Sequence, residues 1–261
     1  MILILIIKNF FNKLYISKYT YLIIFLALIT GLIKDLIGIA ILVLFHEFGH
    51  YFTSYLFKYN IDKINIYPFG GLITYNDVID KPLKEELLIT ISGPLNQIII
   101  YTIIFLLYKH NLISNYFYNV ITNYHYSLLI FNIIPIIPLD GSKILNILLN
   151  KLFNFRLSYY ILFIISFILT IILFIKLKLN LLMPLLFIVY ELIKYIKNRN
   201  IIFNKFILEK YLYGNNYKKY NYINNIKKLK RNKKHLIKYK NIYVSEKNYI
   251  NNIYMGHSNM E

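Results

Sequence analysis

The sequence predicts an all-α polytopic membrane protein of about six transmembrane helices, with a small membrane-associated β-hairpin and a short basic C-terminal tail. Three observations predict it. Of the 261 residues, 57% are hydrophobic and 16% charged, and the apolar ones gather in runs near membrane length. One stretch departs from that pattern, with β-favouring residues on either side of Pro68-Phe69-Gly70-Gly71. The basic residues favour alternate loops and collect above all after the last apolar run.

A helix that crosses the hydrocarbon core needs about 20 predominantly apolar residues. The runs expected to span are 19–33, 36–57, 87–107, 116–134, 157–175 and 179–196. Residues 1–7 are apolar too, but they lack a basic leader and a small-residue cleavage site. An interfacial segment is therefore expected there rather than a secretory signal. Lys8, Lys13 and Lys18 precede the first run, Lys58, Lys63, Lys81 and Lys84 follow the second, and Lys143, Lys151 and Arg156 follow the fourth. Loops of the other parity carry fewer, which puts both termini in the cytoplasm.

The formal net charge of +18 raises a nucleic-acid reading. Half of the 30 Lys and Arg residues lie from Lys197 onward, where the positive-inside bias places them. No recognition module accompanies them, so no specific nucleic-acid partner is expected. The absence of cysteine excludes a disulfide framework and a thiolate metal site. The chain divides into a membrane-embedded domain, 1–197, and a basic tail, 198–261. The tail's composition leaves open whether it is a small domain or partly disordered.

Two places interrupt the helical pattern. Residues 62–75 read as a hairpin turning at Pro68–Gly71. In the second, 132–141, Pro135 and Pro138 end a helix and leave backbone groups unpaired. Irregular backbone at membrane depth is tolerated only where protein buries it or it lines a cavity, so this break marks a site.

His46-Glu47-Phe48-Gly49-His50 carries the chemistry. Helical residues four apart share a face, so both imidazoles can reach one metal ion. Glu47, displaced around the helix, is placed to take a proton from a metal-bound water rather than to ligate. Three ionisable groups within five residues of an apolar run are costly there and point to function. A catalytic zinc site needs three protein ligands and an open position. Asp140 is the candidate third. An aspartate after a proline break is also an ordinary N-cap, but the other carboxylates stand in worse places. Glu85 and Glu86 open a Lys-rich helix start, and Asp62, Asp77 and Asp80 lie in polar loop around the hairpin. His125, near a run's entrance, suits an interfacial role. Asn96, within Ser92-Gly-Pro-Leu-Asn96, is placed to bond a ligand imidazole or broken backbone, or simply to sit at a packing kink. Asn132 either orients substrate backbone or caps the broken helix.

His46–His50, Pro68-Phe-Gly-Gly71 and Asn132-Ile-Ile-Pro135-Ile-Ile-Pro138-Leu-Asp140-Gly141 together resemble the site-2 protease family of intramembrane metalloproteases, peptidase family M50. Within it, the chain is most similar to the stage IV sporulation protein FB type. That resemblance implies a six-span fold and one Zn2+ per chain on His46, His50 and Asp140, with Glu47 as general base. It implies substrate contacts at Asn132, Pro135, Gly70 and Gly71. It further implies a membrane-associated protein substrate, the precursor of a sporulation sigma factor, and inhibitory membrane partner proteins. The location it implies is the bacterial cell membrane, here the mother-cell membrane around the forespore. A housekeeping member acting on an anti-sigma factor or signal-peptide remnants is the alternative, with a non-catalytic metal-binding membrane protein behind it. Ser142 departs from a glycine often found there. The short basic segment after Gly214 departs from the cystathionine-β-synthase-like, nucleotide-sensing domain of sporulation members.

Overall fold

A computed structural model describes residues 2–67, 70–76, 79–175, 182–213, 220–240 and 242–254. The chain forms two units, one of Met1–Asp77, Glu85–Ile134 and Leu139–Gly141, the other of Val78–Lys84, Pro135–Pro138 and Ser142–Glu261.

The first unit runs α1 (Ile2–Asn12), β1 (Leu14–Ile16), α2 (Lys18–Thr30), α3 (Ile33–Leu56), β2 (Ile61–Tyr67), β3 (Gly70–Tyr75), α4 (Leu83–Lys109) and α5 (Asn115–Ile133). Local chemistry sets several boundaries. The Ser17 hydroxyl accepts from the Thr20 amide at the start of α2, and Ser114 does the same for Phe117 at the start of α5. Gly31, at φ 75°, ends α2 in the left-handed conformation that costs glycine least. The expected hairpin is present, with β2 antiparallel to β3, and β1 adds a parallel third strand on the far side of β2. This sheet packs on α1 and α3 through Ile6, Phe10, Tyr51, Ile61, Ile64 and Ile73. So the apolar N-terminal residues serve in part to cover the sheet. Along α3, Gly38, Leu42, His46, His50 and Ser54 fall at four-residue intervals on one buried face.

Helices α3, α4 and α7 (Phe155–Ile175) are each long and apolar enough to cross a membrane. On α4, Ile98, Ile99, Phe105 and Leu106 are 43–58% exposed. So large an apolar surface is tolerated against lipid and not against water. The chain is an integral membrane protein. The other runs expected to span form α2, α5 and α8 (Leu182–Lys197). Residues 179–181 of the last run lie outside the described residues.

The second unit carries α6 (Asp140–Leu152) beyond its first two residues, α7, α8, α9 (Arg199–Tyr213), β4 (Tyr220–Ile223), β5 (Lys234–Tyr239), β6 (Ile242–Ser245) and α10 (Glu246–Tyr254). Strand β5 lies between a parallel β4 and an antiparallel β6. Phe155, Phe206, Ile207, Leu229, Ile237 and Ile250 form the core beneath. The all-α expectation is thus corrected. Helix dominates, but two three-stranded sheets stand beside it. The second sheet lies in a lysine-rich segment, where His235 and Ile237 are the only residues of β5 fully turned inward.

Asp80 is also corrected from loop to core. It is 4% exposed, its Oδ2 lies 2.7 Å from Lys210 Nζ, and its Oδ1 accepts from the Asn232 amide at 2.9 Å. Lys210 donates as well to the Lys233 carbonyl at 2.8 Å. Removing one member of a buried pair strands the other's charge, at a cost of about 3–5 kcal/mol. Lys210→Met is therefore expected to make this unit unfold or become protease-sensitive at clearly lower temperature. An unchanged melting profile would show that the pair contributes nothing net.

The proline break belongs to this unit from Pro135 to Pro138. Ser166 of α7, itself fully buried, donates to the Pro135 carbonyl and accepts from the Ile137 amide, each at 3.3 Å. One hydroxyl thus satisfies two backbone groups that the prolines left unpaired.

Candidate metal centre

Helix α3 presents His46 and His50 one turn apart, and their Nε2 atoms lie 3.1 Å from each other. Asp140, the first residue of α6, brings Oδ2 to 3.0 Å from both. All three side chains are buried, at 3–5% exposure. The hydrogen bonds behind the rings decide what faces inward. His46 Nδ1 lies 3.1 Å from Gln97 Oε1, and His50 Nδ1 lies 2.7 Å from the Ile89 carbonyl. The Gln97 amide nitrogen donates to the His125 carbonyl at 3.1 Å, which turns its oxygen toward His46. In neutral rings these partners place the proton on both Nδ1 atoms and turn the Nε2 lone pairs toward each other and toward Asp140. Two lone pairs and a carboxylate oxygen converging in a buried site repel one another unless a cation lies among them. Ligands bound 2.0–2.2 Å from zinc at tetrahedral angles are about 3.3–3.5 Å apart, within a few tenths of the spacing found here. The donor set, two nitrogens and one oxygen, suits zinc and leaves a fourth position for water.

Glu47 is 4% exposed and stands just outside that triangle. A carboxylate oxygen of Glu47 and a ring nitrogen of each histidine lie within 4.8 Å of one another. Asp140 Oδ2 lies nearer both nitrogens, at 3.0 Å, so the geometry favours Asp140 over Glu47 as a third donor. Glu47 Oε1 accepts from the Gly71 amide at 3.1 Å. A Cβ at Gly71 would sit 2.3 Å from Glu47 Cδ, so only glycine lets the start of β3 approach. Gly93 has the same role on α4, where an added Cβ would meet His50 Nε2 at 2.2 Å.

Of the expected site residues, the structure brings together His46, Glu47, His50, Asp140 and Gly71. Asn132 lies half-buried in the last turn of α5, Gly70 opens β3 at φ 149°, and Pro135 belongs to the second unit. Asn96 bonds the Phe45 carbonyl, and its neighbour Gln97 reaches the imidazole instead. His125 is buried within the protein. It is 3% exposed and stacks on Tyr101, with ring centroids 4.0 Å apart. The signal for Gln97 is a polar side chain in an apolar span, one turn after Gly93 on the same face of α4. Partners of this kind orient the ring, and losing one costs about 10–100-fold in metal affinity. Gln97→Leu is expected to weaken zinc binding by that factor in chelator competition, while Gln97→Glu, which keeps an acceptor, largely restores it. Equal affinity in all three proteins would mean that packing alone orients His46.

The sequence profile of peptidase family M50 matches residues 35–126, which include His46, Glu47 and His50 and stop short of Asp140. Stage IV sporulation protein FB of Bacillus subtilis is 32% identical over 136 residues, covering 52% of this chain and 47% of that protein. Zinc metalloprotease MJ0392 of Methanocaldococcus jannaschii is 31% identical over 110 residues, covering 41% of this chain and 32% of that protein. The chain thus spans less than half the length of either curated relative. The solved site-2 protease from Methanocaldococcus jannaschii superposes with a TM-score of 0.55 at 26% identity, over 70% of this chain and 91% of that one.

Proposed function

We propose that this chain, which carries a peptidase family M50 domain over residues 35–126, is an intramembrane zinc metalloprotease acting on a membrane-associated protein precursor. One observation carries the reading. Two imidazole nitrogens and a carboxylate oxygen converge at 3.0–3.1 Å inside an integral membrane protein, with the Glu47 carboxylate beside them. In this reading α5, α8 and the shorter α2, whose 13 residues rise only about 20 Å, join α3, α4 and α7 as membrane helices, and both termini lie in the cytoplasm. The relatives' printed names, a sporulation protein and a zinc metalloprotease, support a protein substrate in a sporulation setting. We take the precursor of a sporulation sigma factor as the substrate, and membrane partners as its regulators.

His46, His50 and Asp140 would hold one zinc ion, which when bound acidifies water and polarises the scissile carbonyl. Gln97 and the Ile89 carbonyl hold the two ring protons on Nδ1, so that both Nε2 atoms stay available. Glu47 takes the proton from the attacking water and delivers it to the leaving amine. Its bond to the Gly71 amide keeps the carboxylate beside the water's position. Strand β3 bonds β2 on one side only, and no other described strand covers its second edge. An extended peptide added along that edge, with its carbonyls unwound from any helix, would run toward Glu47 at Gly71. Asn132, Pro135 and Gly70 complete the substrate contacts in this reading.

Co-expression with a candidate sigma-factor precursor, followed by sizing of the product, tests the proposal. A shortened product that depends on this chain is expected, and its absence across such precursors would count against the sporulation substrate. Proline placed in turn along residues 72–75 tests strand addition. Cleavage is expected to fall wherever the lost amide faces the open edge, with zinc content unchanged. Full cleavage throughout the series would rule that docking mode out.

A further inference from the structure

Away from the metal centre, two cavities follow one another along α7, the first against the start of α9 and the second against α8. The first, of about 200 Å³, lies where α7 begins and α9 begins, between Arg156 and Arg199. The Arg156 guanidinium lies over the rings of Phe203, at 5.5 Å, and Tyr160, at 6.0 Å, which hold it at the cavity wall. Among the described residues no carboxylate pairs with either arginine. The second cavity, of about 230 Å³, has no polar atom exposed on its wall. It starts one turn further along α7 at Phe163 and reaches Phe174, and on α8 it is walled by Val189, Ile193 and Ile196, one turn before Arg199.

The dimensions and the chemistry agree on one occupant. From Phe163 to Phe174 a helix rises about 16 Å, close to half of a hydrocarbon core of about 30 Å. A cationic, hydrogen-bonding pocket stands at one end of a greasy channel one leaflet deep. Basic pockets at the ends of membrane helices suit phosphate-bearing lipid headgroups, and the aromatic rings suit the interface where those headgroups lie. A soluble anion would use the arginines and leave the channel empty, and a neutral lipid would leave the arginines uncompensated.

We propose that α7, α8 and the start of α9 bind one anionic phospholipid, its phosphate between Arg156 and Arg199 and an acyl chain along the channel from Phe163 to Phe174. The proposal rests on α7 crossing the bilayer and is independent of the protease reading.

Full-length protein, purified in detergent and stripped of lipid, would be titrated with phosphatidylglycerol and with phosphatidylcholine and followed by native mass spectrometry. Selective retention of phosphatidylglycerol is expected. The double variant Arg156→Gln/Arg199→Gln should bind it about 25-fold more weakly, as two basic contacts at about fivefold each would give. Ile193→Trp, which fills the channel and spares both arginines, should weaken it as well. Inorganic phosphate, tested as the competing source of the same chemistry, should not displace the lipid. Equal retention of the two lipids, or unchanged binding in the double variant, would overturn the proposal. So would displacement by inorganic phosphate together with indifference to Ile193→Trp, since that pair of results describes a free-phosphate site. Zinc content in the same samples reports separately on the metal centre, so a failed lipid site and a failed protease reading stay distinguishable.

Discussion

Glu47→Gln is expected to abolish cleavage while leaving zinc in place. Glutamine has the size of glutamate, and its carbonyl oxygen can still accept from the Gly71 amide, now 3.1 Å from Glu47 Oε1. His46, His50 and Asp140 are untouched. What disappears is the group that, in the proposed mechanism, carries a proton from water to the leaving amine. General acid–base contributions of this kind are worth about 10²–10⁴-fold in rate. Product on a gel should therefore drop by at least about a hundredfold, with metal content unaltered. Cleavage at the parent rate would remove Glu47 from the mechanism. Loss of both cleavage and zinc would mean that Glu47 helps to hold the ion.

Asp140→Asn separates two roles that are confounded in any aspartate at a helix start. Asparagine caps a helix about as well as aspartate, so α6 should still begin where it does. It is neutral and a poorer metal ligand, and it leaves two imidazole lone pairs 3.1 Å apart with no anion to balance a divalent ion. Zinc content after purification should fall clearly, by more than the about 10–100-fold in affinity expected for an outer partner such as Gln97. His50→Ala should match or exceed that loss. Normal zinc and normal cleavage in Asp140→Asn would return Asp140 to capping, and the third ligand would have to be sought elsewhere.

The sequence by itself determined what depends on short spacing and on solvent class. His46 and His50 share a face because a helix repeats every 3.6 residues, and that holds wherever the helix lies. Apolar runs near the length of a bilayer declare a membrane protein, and the prolines at 135 and 138 declare a break, because both effects are local. Asp140 was legible for the same reason, as the carboxylate standing at that break.

Only the tertiary structure decided the contacts between distant positions. His46 meets Gln97 across 51 residues and Asp140 across 94. Local periodicity separates Gln97 only weakly from Asn96 next to it, since both are polar and about one turn from Gly93, and the packing of α3 selects one. Asp80 read as loop because its partner Lys210 is 130 positions away. The second sheet was hidden because the long lysine stems of 234–240 blur an alternation that becomes visible once Phe206, Ile207 and Ile250 cover its inner face. Local periodicity can place a side chain on one face of its own helix or strand. Which distant segment meets that face is settled by packing, when the whole chain buries its apolar surface and satisfies its polar groups together.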